Sequence, residues 1–192
     1  GNYTESAIES FFGRFNYDFA GKYFFQATIR RDGLSSLAPE VRFGNFPGFS
    51  AGWRISEENF WKGSSSLSRI VNDLKLKASY AVVGNPVGGF PYLSTFSNRP
   101  YGNISGLGPS LQGNRDLQWE RSTKYDIGLE ASFLNNRFQF GFDWFLNDIN
   151  ELILNVPTPP TAGVPNNSIS QNIGTQRNQG LEFNLSGDIY SN

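Results

Sequence analysis

The chain has no cysteine, no methionine and no histidine among its 192 residues. Lacking cysteine, it has no disulfides to staple a small fold. Lacking cysteine and histidine, it has none of the usual zinc or copper ligands, and only all-oxygen metal sites remain. Sixteen basic residues stand against 17 acidic ones, a net charge of −1, which gives no electrostatic footing for nucleic acid. No apolar run reaches the roughly eighteen residues of a membrane-spanning helix. The opening Gly1-Asn2-Tyr3-Thr4 lacks the basic and apolar regions of a secretory leader, and the expectation is a mature chain or an internal piece of a longer one. What is abundant is aromatic: 18 Phe, 8 Tyr and 4 Trp make up 16% of the residues.

These aromatics recur with period two. Tyr125, Ile127, Leu129, Ala131 and Phe133 alternate with Lys124, Asp126, Gly128, Glu130 and Ser132. After a corner at Asn135-Asn136, Phe138, Phe140, Phe142, Trp144 and Leu146 alternate with polar or small residues. Period two predicts extended strands with one apolar and one polar face. A polar face that is charged along its length is a poor protein core but a good lining for water, and the combination is that of a transmembrane β-barrel wall. Alternation averages hydropathy toward zero, so a sliding window does not detect it.

Seven strands are predicted, at about 8–18, 23–30, 46–55, 74–82, 117–133, 138–156 and 181–189, the sixth losing regularity after Asn147. Corners near Phe19–Gly21 and Leu134–Asn136 are short, whereas the connections 31–45, 84–116 and 157–172 are long and rich in Gly, Pro, Asn and Ser. Short periplasmic turns alternate with long extracellular loops in outer-membrane barrels. One short-side connection, 56–73, is long, and Glu57-Glu58-Asn59-Phe60-Trp61 predicts a brief helical turn within it. At about 3.3 Å per residue the fifth strand would reach roughly 55 Å, beyond what the bilayer requires. Tyr17, Tyr23, Trp53, Phe133 and Phe138 near the turns, with Trp119 and Trp144 toward the loops, sit where interfacial girdles are expected.

Several short blocks together resemble the SusC/RagA family of TonB-dependent outer-membrane transporters. They are the run from Tyr23 through Ile29-Arg30-Arg31-Asp32-Gly33, the stretch from Arg42-Phe43-Gly44-Asn45-Phe46 to Glu58, and Leu74 to Tyr80 leading into Gly84-Asn85. Asn114 to Glu120, Leu152 to Pro157, Asn172-Ile173-Gly174 and Asn178 to Glu182 complete the set in the family's order. The resemblance implies an all-β, antiparallel barrel of the 22-stranded, plugged kind, of which residues 1–192 form a partial barrel domain with the plug and remaining strands outside it. It also implies import of oligosaccharides or peptides across a bacterial outer membrane, a SusD-like surface lipoprotein as lid, and TonB acting through the plug. Residues 34–41 and 86–110 match no pattern of the family.

Acidic residues such as Glu120, Asp126, Glu130, Asp143, Glu182 and Asp188 fall on polar faces, where alternation places them in a hydrated lumen beside Lys75, Lys77, Lys124, Arg14 and Arg30. No enzyme is expected from them. Gly84-Asn-Pro-Val-Gly-Gly89 lacks the Gly-Lys-Ser/Thr and the helix of a phosphate loop, and Phe90-Pro91 follows it. Lys75, Glu130, Asp143 and Glu182 are the candidate lumen- or plug-facing residues. Tyr92, Arg99 and Tyr101, in the longest loop, are the candidate substrate contacts, through stacking on sugar or peptide. Arg30, Arg31 and Asp32 read as a salt-bridge cluster that anchors a loop. No cofactor is implied. The competing readings are a structural or assembly component of an outer-membrane complex and a soluble β-sandwich or glycan-binding module.

Overall fold

The computed structural model describes residues 5–64, 67–100 and 102–188. Nine strands are present among them: β1 Ile8–Phe19, β2 Tyr23–Leu34, β3 Phe43–Arg54, β4 Val71–Asn85, β5 Thr95–Asn98, β6 Leu107–Leu111, β7 Glu120–Phe133, β8 Phe138–Pro157 and β9 Ser168–Gly187. Seven form one antiparallel sheet in the order β1-β2-β3-β4-β7-β8-β9, and β5 and β6 form a separate hairpin. The sheet ends on β1 and β9 without joining them. It is an arc of wall with two open edges.

The register carries the alternation across the whole sheet. One row of cross-strand partners reads Phe19, Tyr23, Trp53, Leu76, Leu129, Phe142 and Phe183. A second row on the same face reads Tyr17, Phe25, Ala51, Ala78, Ile127, Trp144 and Leu181. Between them, on the opposite face, lie Asp18, Phe24, Gly52, Lys77, Gly128, Asp143 and Glu182. The apolar band is stepped along the sheet. On the turn side it gains Leu74, Ala131, Phe140 and Leu185, from β4 to β9 only. On the loop side Gly13, Ile29 and Pro47 continue it on β1 to β3, whereas Val82 is followed by Thr123, Asp148 and Arg177. Strands tilted against a bilayer require this, because hydrogen-bonded rows then cross the hydrocarbon obliquely.

Both tight corners lie on the turn side. Ala20 and Gly21 take φ of 56° and 63°, and the Asp18 carboxylate accepts the Gly21 N–H at 2.9 Å. Leu134, Asn135 and Asn136 all have positive φ. That strained corner is held by Asn72, whose side-chain oxygen accepts the Asn135 N–H at 2.6 Å and the Asn136 N–H at 3.3 Å. The long turn-side connection contains a 3-10 turn, Ile55–Glu57, and helical turns at Asn59–Lys62 and Leu67–Ile70, in line with the predicted helical turn.

The strand bounds differ from the sequence reading throughout, most in the fifth and the last predicted strands. The fifth predicted strand begins at Glu120, not Leu117 (β7), so about 46 Å replaces the expected 55 Å. The longest strands are β8 and β9, 20 residues each. The final strand starts at Ser168, thirteen residues before its apolar alternation begins, because a strand standing clear of lipid has no face that must be apolar. Its predicted end, Ile189, lies outside the described residues. The stretch 86–110, without a pattern in the sequence, holds the β5–β6 hairpin. The irregularity after Asn147 is a bulge between Ile149 and Leu152, with Glu151 at φ 59°.

Candidate functional site: a charged inner face and a loop platform

On the polar face the candidate lumen residues fall into one patch. Lys77 sits 3.0 Å from Glu130 and 2.9 Å from Asp143. It reaches Asp143 across Gly128, its cross-strand neighbour, because a Cβ on Gly128 would collide with both Asp143 Oδ1 and Lys77 Cε. Glu182 is the next partner in that row, directly opposite Asp143. Lys75 stands beside the patch with its ammonium 5.5 Å from the centre of the Phe24 ring. Register brings Lys75, Glu130, Asp143 and Glu182 onto one face, but Lys77 is the cation that pairs with Glu130 and Asp143. The sequence offered no way to choose between the two lysines, since strand pairing decides which one lies opposite Gly128.

The loop candidates do not converge. Tyr92 lies at the base of the β5–β6 hairpin, half-buried and edge-on to Phe90 with centroids 6.3 Å apart. Arg99 lies at the other end, donating its backbone N–H to Gly106 O at 2.7 Å, with its side chain over Gly108. Tyr101 lies outside the described residues.

The structure adds a buried platform that the sequence reading missed. Beyond Gly48 and Ala81 the β3–β4 ladder stops, and an apolar cluster of Leu34, Leu37, Phe46, Leu117 and Trp119 is buried beside the gap. Leu37 and Leu117 have no exposed surface. Gly84 is required here, because a Cβ at that position would overlap the Phe46 ring. Trp119 was expected in a lipid girdle. Instead it meets Phe46 edge-on at 5.3 Å and donates its indole N–H to Arg42 O at 2.8 Å. Its place in the sequence, two residues after Leu117 in an otherwise polar segment, was the available signal.

Asn172 locks the platform to the tall β8–β9 hairpin. Its amide donates to Gln118 O at 3.0 Å and to Glu151 O at 2.7 Å, and its oxygen accepts the Gln118 N–H at 2.9 Å. Glu120 accepts the Ile153 N–H at 2.9 Å, on the far side of the bulge. Asn114 donates to Ser170 O at 2.8 Å, and Arg115 pairs with Glu40 at 2.9 Å. Bonding to its own backbone amide, reinforced by Arg115, holds the Glu40 carboxyl below its ordinary pKa. Asp32, 1% exposed, pairs with Arg30 at 2.6 Å, and Arg31 stacks 4.9 Å over Phe43. The blocks around Arg30, Arg42, Gly84, Asn114 and Asn172 therefore meet at one place, below the long loops.

At the opposite end, Glu58 accepts hydrogen bonds from the Tyr23 hydroxyl, from Lys22 at 3.1 Å and from the Trp53 indole at 3.2 Å. Those bonds, that from Tyr23 foremost, hold the Glu58 carboxyl below its ordinary pKa. Among the described residues no three His, Cys, Asp or Glu side chains gather as metal ligands, and no helix is long and apolar enough to cross a membrane.

An antiparallel wall with one face for hydrocarbon and one for water defines a transmembrane β-barrel segment. The chain belongs to the TonB dependent receptor-like, beta-barrel family, whose match runs over residues 1–192, and within it to the SusC/RagA type. It is 34% identical over 192 residues to TonB-dependent receptor SusC of Bacteroides thetaiotaomicron, covering 95% of this chain and 18% of that protein. It is 36% identical over 184 residues to TonB-dependent receptor P39 of Formosa agariphila, covering 95% of this chain and 17% of that protein. The RagAB peptide transporter superposes with a TM-score of 0.83 at 32% identity, over 97% of this chain and 20% of that one. The siderophore receptor PirA of Pseudomonas aeruginosa shares the fold, with a TM-score of 0.60 at 19% identity. The chain thus spans about a fifth of the relatives it matches.

Proposed function

We propose that this chain is a section of the barrel wall of a TonB-dependent importer in a bacterial outer membrane. Its apolar rows contact lipid. Its charged inner patch at Lys75, Lys77, Glu130, Asp143 and Glu182 faces the lumen and the plug. Its loops, carried by the buried platform, meet the cargo and a SusD-like lipoprotein lid, with Tyr92, Arg99 and Tyr101 as candidate cargo contacts. TonB, pulling on a plug contributed by the rest of the protein, opens the path. The cargo class is oligosaccharide or peptide, supported by the kinship with SusC and with the RagAB peptide transporter. As unsatisfied backbone groups in lipid cost several kcal/mol each, β1 and β9 require neighbouring strands from the longer protein.

The observation that carries this reading is the register, which aligns apolar residues across all seven strands on one face and charges on the other. Arginine substitution in the full-length protein tests it. Phe142→Arg or Leu129→Arg should destabilise the barrel in lipid vesicles by about 2–4 kcal/mol near the midplane, and Ser132→Arg far less. Equal losses at both positions would overturn the facing assignment.

A further inference from the structure

The outward face changes character on its loop side, one row later on β1 to β3 than on β7 to β9. From the tight turns up to the row containing Phe49, Tyr80 and Tyr125, no outward position in the register carries a charge. Those three rings form a file, with centroids 6.4 Å apart for Phe49–Tyr80 and 5.2 Å for Tyr80–Tyr125. An aromatic file there lies near the loop-side end of the apolar band, which the oblique rows carry one position further on β2 and β3, to Ile29 and Pro47. The outward positions beyond it carry Arg31 on β2, past Ile29, Arg121 on β7, past Thr123, and the Asp148–Arg177 pair across β8 and β9, with Glu9 further out on the edge strand. Arg31 and Arg121 are exposed, and among the described residues neither has a carboxylate at ion-pair distance. The Arg31 guanidinium lies over the Phe43 ring, 4.9 Å from its centre.

We propose that Arg31 and Arg121 form a docking rim for the phosphate groups of outer-leaflet lipopolysaccharide, with Arg177 as a flanking, partly neutralised member. Two features select that occupant. The rim is continuous with the lipid-facing band, so whatever covers the aromatic file also reaches the arginines. Guanidinium presents a planar fork of donors matched to phosphate oxygens, and it is weakly hydrated enough to sit at an interface. Three strand spacings separate β2 from β7, and the β3–β4 ladder is already open at this level, so the strands stand at least about 14 Å apart and the two arginines engage separate phosphates rather than chelating one. The proposal rests on the outer-membrane reading given above.

The test uses full-length protein extracted from outer membranes in mild detergent, with retained lipopolysaccharide phosphate measured per protein. Affinity should fall about fivefold for each arginine removed, so R31Q/R121Q should lose most of the retained lipid. R14Q/K124Q, which removes two charges from the inner face, should retain as much as the parent. R121Q alone should show a smaller loss of the same sign, and it decides the outcome if the double variant fails to insert. Protein in lipid A-doped vesicles should bind more strongly than in phosphatidylglycerol vesicles of equal charge, and inorganic phosphate should not compete. Unchanged retention in R31Q/R121Q or R121Q, equal loss in the inner-face control, no preference for lipid A, or displacement by inorganic phosphate would each overturn the proposal. A failure here with the Phe142/Ser132 contrast intact removes the lipid rim alone; failure of both removes the facing assignment.

Discussion

The lipid-crossing part of this wall and its loop-side rim are built on the same strands and stabilised in opposite ways. In the crossing part, large apolar side chains stay exposed: Phe183 is 69% and Phe15 58% exposed. The stabilising medium there is hydrocarbon, and the only internal requirement is a complete backbone ladder. At the rim, strand pairing is broken twice, between β3 and β4 and at the β8 bulge. Order there comes from a small buried core and from Asn172, as in a soluble protein. The same sequence rule, alternation, cannot describe both regions, because only one of them has two different solvents on its two faces.

Paired substitutions sharpen that contrast. The largest effect is expected at Trp119. Trp119→Ala opens a cavity in packed surroundings and should cost about 3–5 kcal/mol, read as faster hydrogen exchange in residues 35–42 and 114–120. Trp144→Ala, on the lipid face, should cost clearly less, since acyl chains fill the space. Equal effects would break the distinction between the regions. Next come two isoleucines of similar exposure, Ile127 at 49% and Ile173 at 59%. Ile127→Arg should destabilise the barrel in vesicles by about 2–4 kcal/mol and Ile173→Arg by close to nothing. Exposure is matched, so a difference reports the surrounding medium.

Asn172→Ala should cost about 1–3 kcal/mol, because it leaves Gln118 and Glu151 backbone groups without partners. The loss should appear in exchange at the bulge and at Gln118, with the crossing strands unchanged. The smallest effect is acid-dependent. The pKa of Glu58 is depressed in the folded state, so its contribution is present above the ordinary Glu value and is lost as pH falls through the lowered one. The connection 55–62 should therefore lose protection, measured relative to intrinsic exchange at the same pH, as pH falls below the ordinary Glu range, and Glu58→Gln should remove that dependence. Persistence of the dependence in the variant would assign it to another carboxylate.

The crossing strands were legible because every second residue answers to lipid. Leu129, Phe142 and Phe183 announce their face wherever they sit, and the corners at Ala20-Gly21 and Asn135-Asn136 announce their turns. Residues 168–180 were not legible, because Ser168-Ile-Ser-Gln-Asn-Ile-Gly lies in water and is held by pairing with β8 and by the long-range bonds of Asn114 and Asn172. Trp119 was misplaced for a related reason. An aromatic near a strand end can serve a girdle or a core, and the choice is made by Phe46 and Arg42, more than seventy residues away in sequence.

The amino-acid order by itself determined the alternation, the short and long connections and the sign of each face, since these follow from local spacing and the transfer free energy of side chains. Only the tertiary structure decided which lysine meets Asp143, which glycine makes room for it, and that five separated sequence blocks close around Trp119 and Asn172. Those outcomes depend on register and on contacts between residues remote in the chain, which no local spacing encodes.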